Sequence, residues 1–176
     1  MKEIEVKVLE INRAECEKTL LKLGAKKIFD DEVLTIFFDF TDGRIFKRKD
    51  VLRLRQEGQK AELTYKKVTF SATSKTADEY SVEVSDINIA QKILENIGLF
   101  MVESMHKHRI SYNLEEVRFD FDQYQDKYGV IPEFLEIEAR NPESIYKYAQ
   151  LLGIKNEDCL PWSTKDLIDK YLQKEK

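Results

Sequence analysis

Apolar and charged residues alternate in several short stretches of the chain, the first being Glu3-Ile4-Glu5-Val6-Lys7-Val8. In an extended strand successive side chains point to opposite faces. Glu3, Glu5 and Lys7 then share one face, and Ile4, Val6 and Val8 the other. The same period predicts strands over 32–40, 51–57, 61–67, 79–84, 102–114, 116–124 and 134–138. Arg53 and Arg55 lie opposite Leu52 and Leu54. Glu62, Thr64 and Lys66 share a face, as do Glu79, Ser81 and Glu83, and Lys107 and Arg109. Arg118, Asp120 and Asp122 alternate with Phe119 and Phe121, and Glu136 and Glu138 with Leu135 and Ile137. Gly58-Gln59 turns 51–57 into 61–67 as a hairpin.

Where the period lengthens, the signals are helical. Asn12 caps a helix over 13–23, with Glu15 placed to complete a capping box and Gly24 as its stop. Asp86 opens a second over 87–97, ended by Gly98. Asn141-Pro142 opens a third over 142–152, ended by Gly153, and a last helix covers 164–174. The basic run Arg44 to Lys49, after the Asp42-Gly43 turn, reads as a mobile loop. So do residues 69–78 and 125–132. The stops Leu23-Gly24, Ile97-Gly98 and Leu152-Gly153 fit a diverged internal duplication. They fit equally the ordinary preference of helix ends for glycine.

Composition narrows the class. A chain of 176 residues without a Gly/Ser-rich linker reads as a single domain over 1–176. A net charge of -4 argues against a nucleic-acid backbone as its main partner, though it permits a local basic pocket. Cys16 and Cys159 are too far apart in sequence to form a metal-ligand pair, and suggest a reduced, cytoplasmic setting. No apolar run approaches the roughly 20 residues of a membrane span, and no signal segment precedes the first strand. The pattern is compatible with a homodimer.

Collected together, the charged faces carry the acids Glu3, Glu5, Glu79, Glu83, Asp120, Asp122, Glu136 and Glu138. They carry the bases Lys7, Arg53, Arg55, Lys66, Lys107 and Arg109. Only a closed or strongly curved antiparallel sheet could bring these strands together around one interior. Carboxylates suit a hard cation such as Mg²⁺ or Mn²⁺, and arginine and lysine suit phosphate oxygens. A metal-bound polyphosphate would satisfy both. An open sheet with one wet face produces the same alternation, its mixed charges forming surface ion pairs worth little each. Periodicity alone does not separate the two.

Several motifs do favour one of them. Glu3-Ile4-Glu5-Val6-Lys7 resembles the E-x-E-x-K signature of the CYTH, or triphosphate tunnel metalloenzyme, superfamily. The series continues in order. Thr35 to Asp39 looks like its Y-F-D strand, Leu52 to Arg55 its L-R-x-R motif, and Thr64-Tyr65-Lys66 its T-Y-K. Lys107-His108-Arg109 is similar to K-x-R, Phe121-Asp122 to the L-D strand, and Phe134 to Glu138 to F-x-E-I-E. The likeness is greatest to the class IV adenylyl cyclase-like subgroup.

This resemblance implies an α+β fold, a closed eight-stranded antiparallel β-barrel forming a tunnel with flanking helices. It implies metal held by Glu3, Glu5, Glu136 and Glu138, with Mg²⁺ or Mn²⁺ as cofactor. Phosphates would be bound by Lys7, Arg53, Arg55, Lys66, Lys107 and Arg109, and catalysis would involve Lys7, Glu5 and Asp122. Relatives often carry R-x-E-x-E near residue 79, where this chain has Ala77 and Ser81, so one base and one acid are missing. The implied activities are hydrolysis of a nucleoside, thiamine or inorganic triphosphate, slightly favoured, or cyclisation of ATP to cyclic AMP. A non-catalytic triphosphate sensor is the rival from another class. His106 and His108 read as structural, Trp162 as packing and Cys16 as inert.

Overall fold

The computed structural model describes residues 4–70 and 75–172, and for 68–70 and 75–77 the backbone alone. Its strands are β1 (Ile4–Val8), β2 (Lys26–Phe40), β3 (Val51–Glu57), β4 (Lys60–Phe70), β5 (Lys75–Val84), β6 (Leu99–Leu114), β7 (Val117–Tyr124) and β8 (Phe134–Ala139). Its helices are α1 (Arg13–Lys22), α2 (Arg44–Lys47), α3 (Ile87–Asn96), α4 (Pro142–Leu151) and α5 (Thr164–Leu172). The strands form one sheet in the order β1-β8-β7-β6-β2-β3-β4-β5. Every ladder recorded in register is antiparallel.

β1 and β5 are the sheet's edges, and no ladder joins them among the described residues. The expected barrel is therefore not closed by hydrogen bonds. A local cause is visible at β1. Lys7 N–H donates to the Leu160 carbonyl (2.8 Å) and Leu160 N–H donates back (2.9 Å), so the strand's outer edge is already paired there.

The helix caps form as the sequence predicts. Asn12 accepts from Glu15 N–H, Asp86 from Asn88 and Ile89 N–H, and Asn141 from Ser144 N–H, with Pro142 in the first turn. Gly24 (φ +90°) and Gly98 (φ +97°) end α1 and α3 in a backbone region that L side chains rarely adopt. Three expectations change. Residues 44–47 form a helical turn rather than a loop. β4 and β5 stay paired out to Phe70 and Lys75, through most of the expected 69–78 loop. β2 begins at Lys26 and β6 at Leu99, earlier than the alternation suggested. Of the residues so added, Ile28, Phe100 and Met101 are exposed, so no continuous buried face imposes a period of two there.

The chain divides into two compact units, Met1–Asp31 with Lys107–Lys176, and Glu32–His106. In the first, the apolar faces of β1, β6, β7 and β8 pack with α1 and α4 around Leu20, Phe119, Leu135, Ile137 and Ile145. In the second, β2 and β3 pack Ile36, Phe38 and Leu54 against Ile45 of α2 and Leu94 of α3. In each unit the helices cover the apolar face of the strands. The charged face is left to the chemistry.

Candidate active site

In the first unit, register sets charged residues in rows across β1, β8, β7 and β6. Lys7 lies opposite Glu136, Glu136 opposite Asp120, and Asp120 opposite Ser111. Glu5 lies opposite Glu138, which lies opposite Arg118. Asp122 stands between Phe134 and Arg109. Directly opposed residues project from the same face, so these side chains converge.

Their burial excludes the wet outer face in this unit. Lys7 is 1 % exposed, Asp122 0 %, Asp120 2 % and Arg109 5 %. Unpaired charges at such depth would cost several kcal/mol each, and the pairing is dense. Lys7 Nζ lies 2.5 Å from Glu136 Oε1 and 3.2 Å from Glu5 Oε1. Arg109 donates to Asp122 through Nε and Nη2 (both 2.6 Å), to Glu136 Oε2 (2.7 Å), and through Nη1 to Asp120 Oδ2 (2.7 Å). Lys107 Nζ donates to Asp122 Oδ2 at 2.5 Å. Burial acts against ionisation of Glu136, but Lys107, Lys7 and Arg109 outweigh it and hold the carboxyl far below the usual range. Burial likewise opposes the charge on Lys7. Glu136 and then Glu5 outweigh it, and the ammonium is held above its ordinary value. Glu5 itself is half exposed, its side chain 54 % accessible.

In the second unit the rows are Phe37-Arg53-Thr64-Ser81, Thr35-Arg55-Glu62-Glu83 and Val51-Lys66-Glu79. Lys66 Nζ meets Glu79 at 2.7 Å, whereas Arg53 and Arg55 reach carboxylates only at 3.6 Å, on Glu79 and Glu57. Arg53 Nε is buried with no hydrogen-bond partner among the described residues. Burial, and then the neighbouring Arg55, push its guanidinium down to about 10. Ser81 shares a hydrogen bond of 3.1 Å with Thr64, whose hydroxyl donates to Glu62 (2.8 Å).

The first unit thus gathers Lys7, Glu5, Lys107, Arg109, Asp122 and Glu136, with Glu138 one row away. The second gathers Arg53, Arg55 and Lys66. Glu3 lies outside the described residues, as does the side chain of Ala77. His106 and His108 turn instead to Glu32 (3.1 Å) and Asp30 (3.2 Å), a structural role. Cys16 and Cys159 are buried and free. Trp162 packs under Lys170.

Sequence reasoning missed three contributors. Arg118 Nε pairs with Asp120 Oδ1 (2.8 Å). Tyr124 and Phe134 stack at 6.0 Å, with Lys107 Nζ 5.5 Å from the Tyr124 ring. The signal was available. Tyr124 continues the Asp120-Asp122 period, Phe134 the Glu138-Glu136 period, and both were passed over for being aromatic.

The chain as a whole has counterparts among known proteins. The CYTH domain family model matches residues 1–161. The chain belongs to the CYTH domain family. A protein named putative adenylate cyclase, from Methanocaldococcus jannaschii, is 28% identical over 138 residues, which is 78% of this chain and 77% of that protein. The PH1012 protein of Pyrococcus horikoshii OT3 is 27% identical with a TM-score of 0.72, covering 94% of this chain and 99% of that one. A Hippeastrum adenylyl cyclase homologue described as having dominant triphosphatase activity shares the fold, with a TM-score of 0.67 at 16% identity over 96% of each chain.

CYTH membership implies a divalent metal. The donor set suits one by type, because Glu5, Asp120, Asp122, Glu136 and Glu138 offer hard carboxylate oxygens. Yet among the described residues no three acids, histidines or cysteines are grouped ready to hold an ion. The buried carboxylates are turned to bases instead. No helix among the described residues is long and apolar enough to cross a membrane.

Proposed function

We propose that this CYTH protein is a metal-dependent enzyme that hydrolyses a triphosphate, bound by the charged faces of its strands. The observation that carries this reading is the burial of Lys7, Lys107 and Arg109 among Asp120, Asp122 and Glu136. A protein seeking only stability would do as well or better with apolar residues there. The unpartnered Nε of Arg53 supports it from the second unit, as a donor suited to an anion.

In this reading Lys7, Lys107, Arg109, Arg53, Arg55 and Lys66 bind phosphate oxygens and stabilise charge on the transferring and leaving groups. Glu5, Glu136 and Glu138 hold the cation, Glu3 being assigned with them from the sequence motif. Mg²⁺ or Mn²⁺ bound there would supply Lewis-acid polarisation of the phosphoryl group and lower the pKa of a bound water. Asp122 holds Lys107 and Arg109 in place. Lys7, between Glu5 and Glu136, is positioned to neutralise charge developing beside the carboxylates.

Cyclisation of ATP is the second reading, favoured by the name of the Methanocaldococcus jannaschii relative. It uses the same bases and differs in which phosphorus lies in line with the nucleophile. Incubation with ATP, thiamine triphosphate or inorganic triphosphate, each with Mg²⁺ or Mn²⁺, followed by chromatography of products, separates the two. Orthophosphate release, reduced at least about tenfold in Glu5→Ala, is the expected result. Cyclic AMP with pyrophosphate would establish the cyclase. Triphosphate binding without turnover would leave only a sensor.

A further inference from the structure

Lys107 ends in a compact ammonium on a flexible four-carbon stem, without the planar fork that fixes Arg109. Its Nζ donates to Asp122 Oδ2 and also lies 5.5 Å from the centroid of the Tyr124 ring. Register sets Tyr124 directly opposite Lys107, so the two side chains share the charged face. The distance is within the roughly 6 Å over which a ring face attracts a cation, and the attraction grows when water is excluded. Lys107 is 7 % exposed and Tyr124 6 %. The ring restrains the ammonium without supplying an oxygen that would compete with a phosphate.

The ring is itself held. It stacks on Phe134 (6.0 Å, 27°) and lies against Tyr128 (6.0 Å). Burial, and then Asp122, push its phenol up, so it stays a neutral hydroxyl. A buried hydroxyl needs a hydrogen-bond partner, and the side chain of Thr164 provides one. Thr164 opens α5, which lies beyond the residues 1–161 matched by the CYTH model. Leu167, 0 % exposed, anchors that helix. Four residues before Thr164, Leu160 exchanges both backbone hydrogen bonds with Lys7. Residues 160–164 therefore hold both the strand that carries Lys7 and the ring that seats Lys107.

We propose that Tyr124 and Thr164 are positioning residues: Thr164 fixes the Tyr124 ring, and the ring sets where the Lys107 ammonium meets phosphate, so that docking of the C-terminal helix tunes triphosphate affinity. The inference rests on the phosphate-binding role given to Lys107 above.

The test is a set of affinities measured by calorimetry with a non-hydrolysable imidotriphosphate and saturating Mg²⁺. Tyr124→Phe keeps the ring and Thr164→Val keeps the side-chain shape, and each removes the same hydrogen bond. Each is expected to weaken binding about 2–10-fold. The double variant should be no weaker than either single one, because both cut one interaction. In a Lys107→Met background, Thr164→Val should cause no further loss. A general loosening of the fold would lower affinity whether or not Lys107 is present. A second readout needs no ligand. In the ¹³C-labelled lysine NMR spectrum, the ε-methylene signal that disappears in Lys107→Met should lie upfield in wild type, shielded by the Tyr124 ring, and move downfield in Thr164→Val. Wild-type affinity in Thr164→Val, an equal loss with and without Lys107, or an unmoved Lys107 signal each overturns the positioning role and leaves the triphosphate reading standing. Failure of wild-type protein to bind imidotriphosphate overturns the triphosphate reading, and this role with it. Should Thr164→Val fail to fold, Tyr124→Phe with and without Lys107 decides alone.

Discussion

Arg53 shows at the scale of one residue how a binding site differs from a core. Its Nε is buried with no hydrogen-bond partner among the described residues, and its ion pair with Glu79 is loose, at 3.6 Å. Burial, and then Arg55, lower its guanidinium to about 10, below its ordinary range, so the charged form is less favourable in the folded chain than in the unfolded one. A tenfold change in a protonation equilibrium is worth about 1.4 kcal/mol. Arg53→Met is therefore expected to stabilise the unliganded protein by roughly 1–3 kcal/mol. The same substitution removes a charge-assisted donor, worth about 1.5–3 kcal/mol, and should weaken triphosphate binding roughly tenfold or more. Urea unfolding and calorimetry on the same sample check both signs. A variant that is less stable than wild type would show Arg53 to be structural.

Asp39 does comparable work for a whole element, the β2–β3 connection. Its Oδ1 accepts from Phe40 N–H (2.7 Å) and Ile45 N–H (3.0 Å), and its Oδ2 from Phe46 N–H (2.9 Å). Burial acts against its ionisation, but the three donors outweigh it and hold the carboxyl below its usual range. This is why the basic run Arg44 to Lys49 is an ordered turn and not the loop its composition suggested. Asp39→Asn keeps the Oδ1 acceptor and loses the charge and the bond from Phe46. It should cost about 1–3 kcal/mol and speed amide exchange at Ile45 and Phe46, as hydrogen exchange by NMR would show. A composition-based reading weighs the residues in a segment, and could not see a carboxylate upstream of it fastening the backbone. The strands with one apolar face packed under helices were legible for the opposite reason, since that packing imposes a period of two in residue type on β1, β3, β7 and β8. The early stretches of β2 and β6, where Ile28, Phe100 and Met101 are exposed, carry no such period and were missed. The site was legible as a set of charged faces, and the family motifs named its members. Burial of Lys7 and Asp122 was not legible, because alternation reports which residues share a face and not whether water reaches it.

At the scale of the molecule, the buried network ties the stability of the first unit to pH, and the sign follows from Glu136. Its folded carboxyl lies far below the ordinary 4.5, with Lys107, Lys7 and Arg109 as the attracting charges that overcome burial. A group depressed in this way binds its proton more readily when unfolded. Its contribution is fully present above about pH 4.5, and is lost as pH falls from there through the folded value. Over that interval stability should fall by about 1.4 kcal/mol per pH unit on account of Glu136 alone. Lys7 acts at the other end. Its raised value means a contribution present below the ordinary 10.5 and lost only as pH rises beyond it. Between these limits neither group contributes a slope. Glu136→Gln removes the acid-side dependence, and at neutral pH leaves Lys7 and Arg109 each short of a partner, at a cost of about 3–5 kcal/mol. Denaturant unfolding of wild type and variant from pH 3 to pH 8 should give curves well separated at neutral pH that converge as the pH falls below about 4.5. Parallel curves would mean that Lys7, Lys107 and Arg109 do not act on Glu136 as their positions indicate, and that the buried charges are neutralised by some other group.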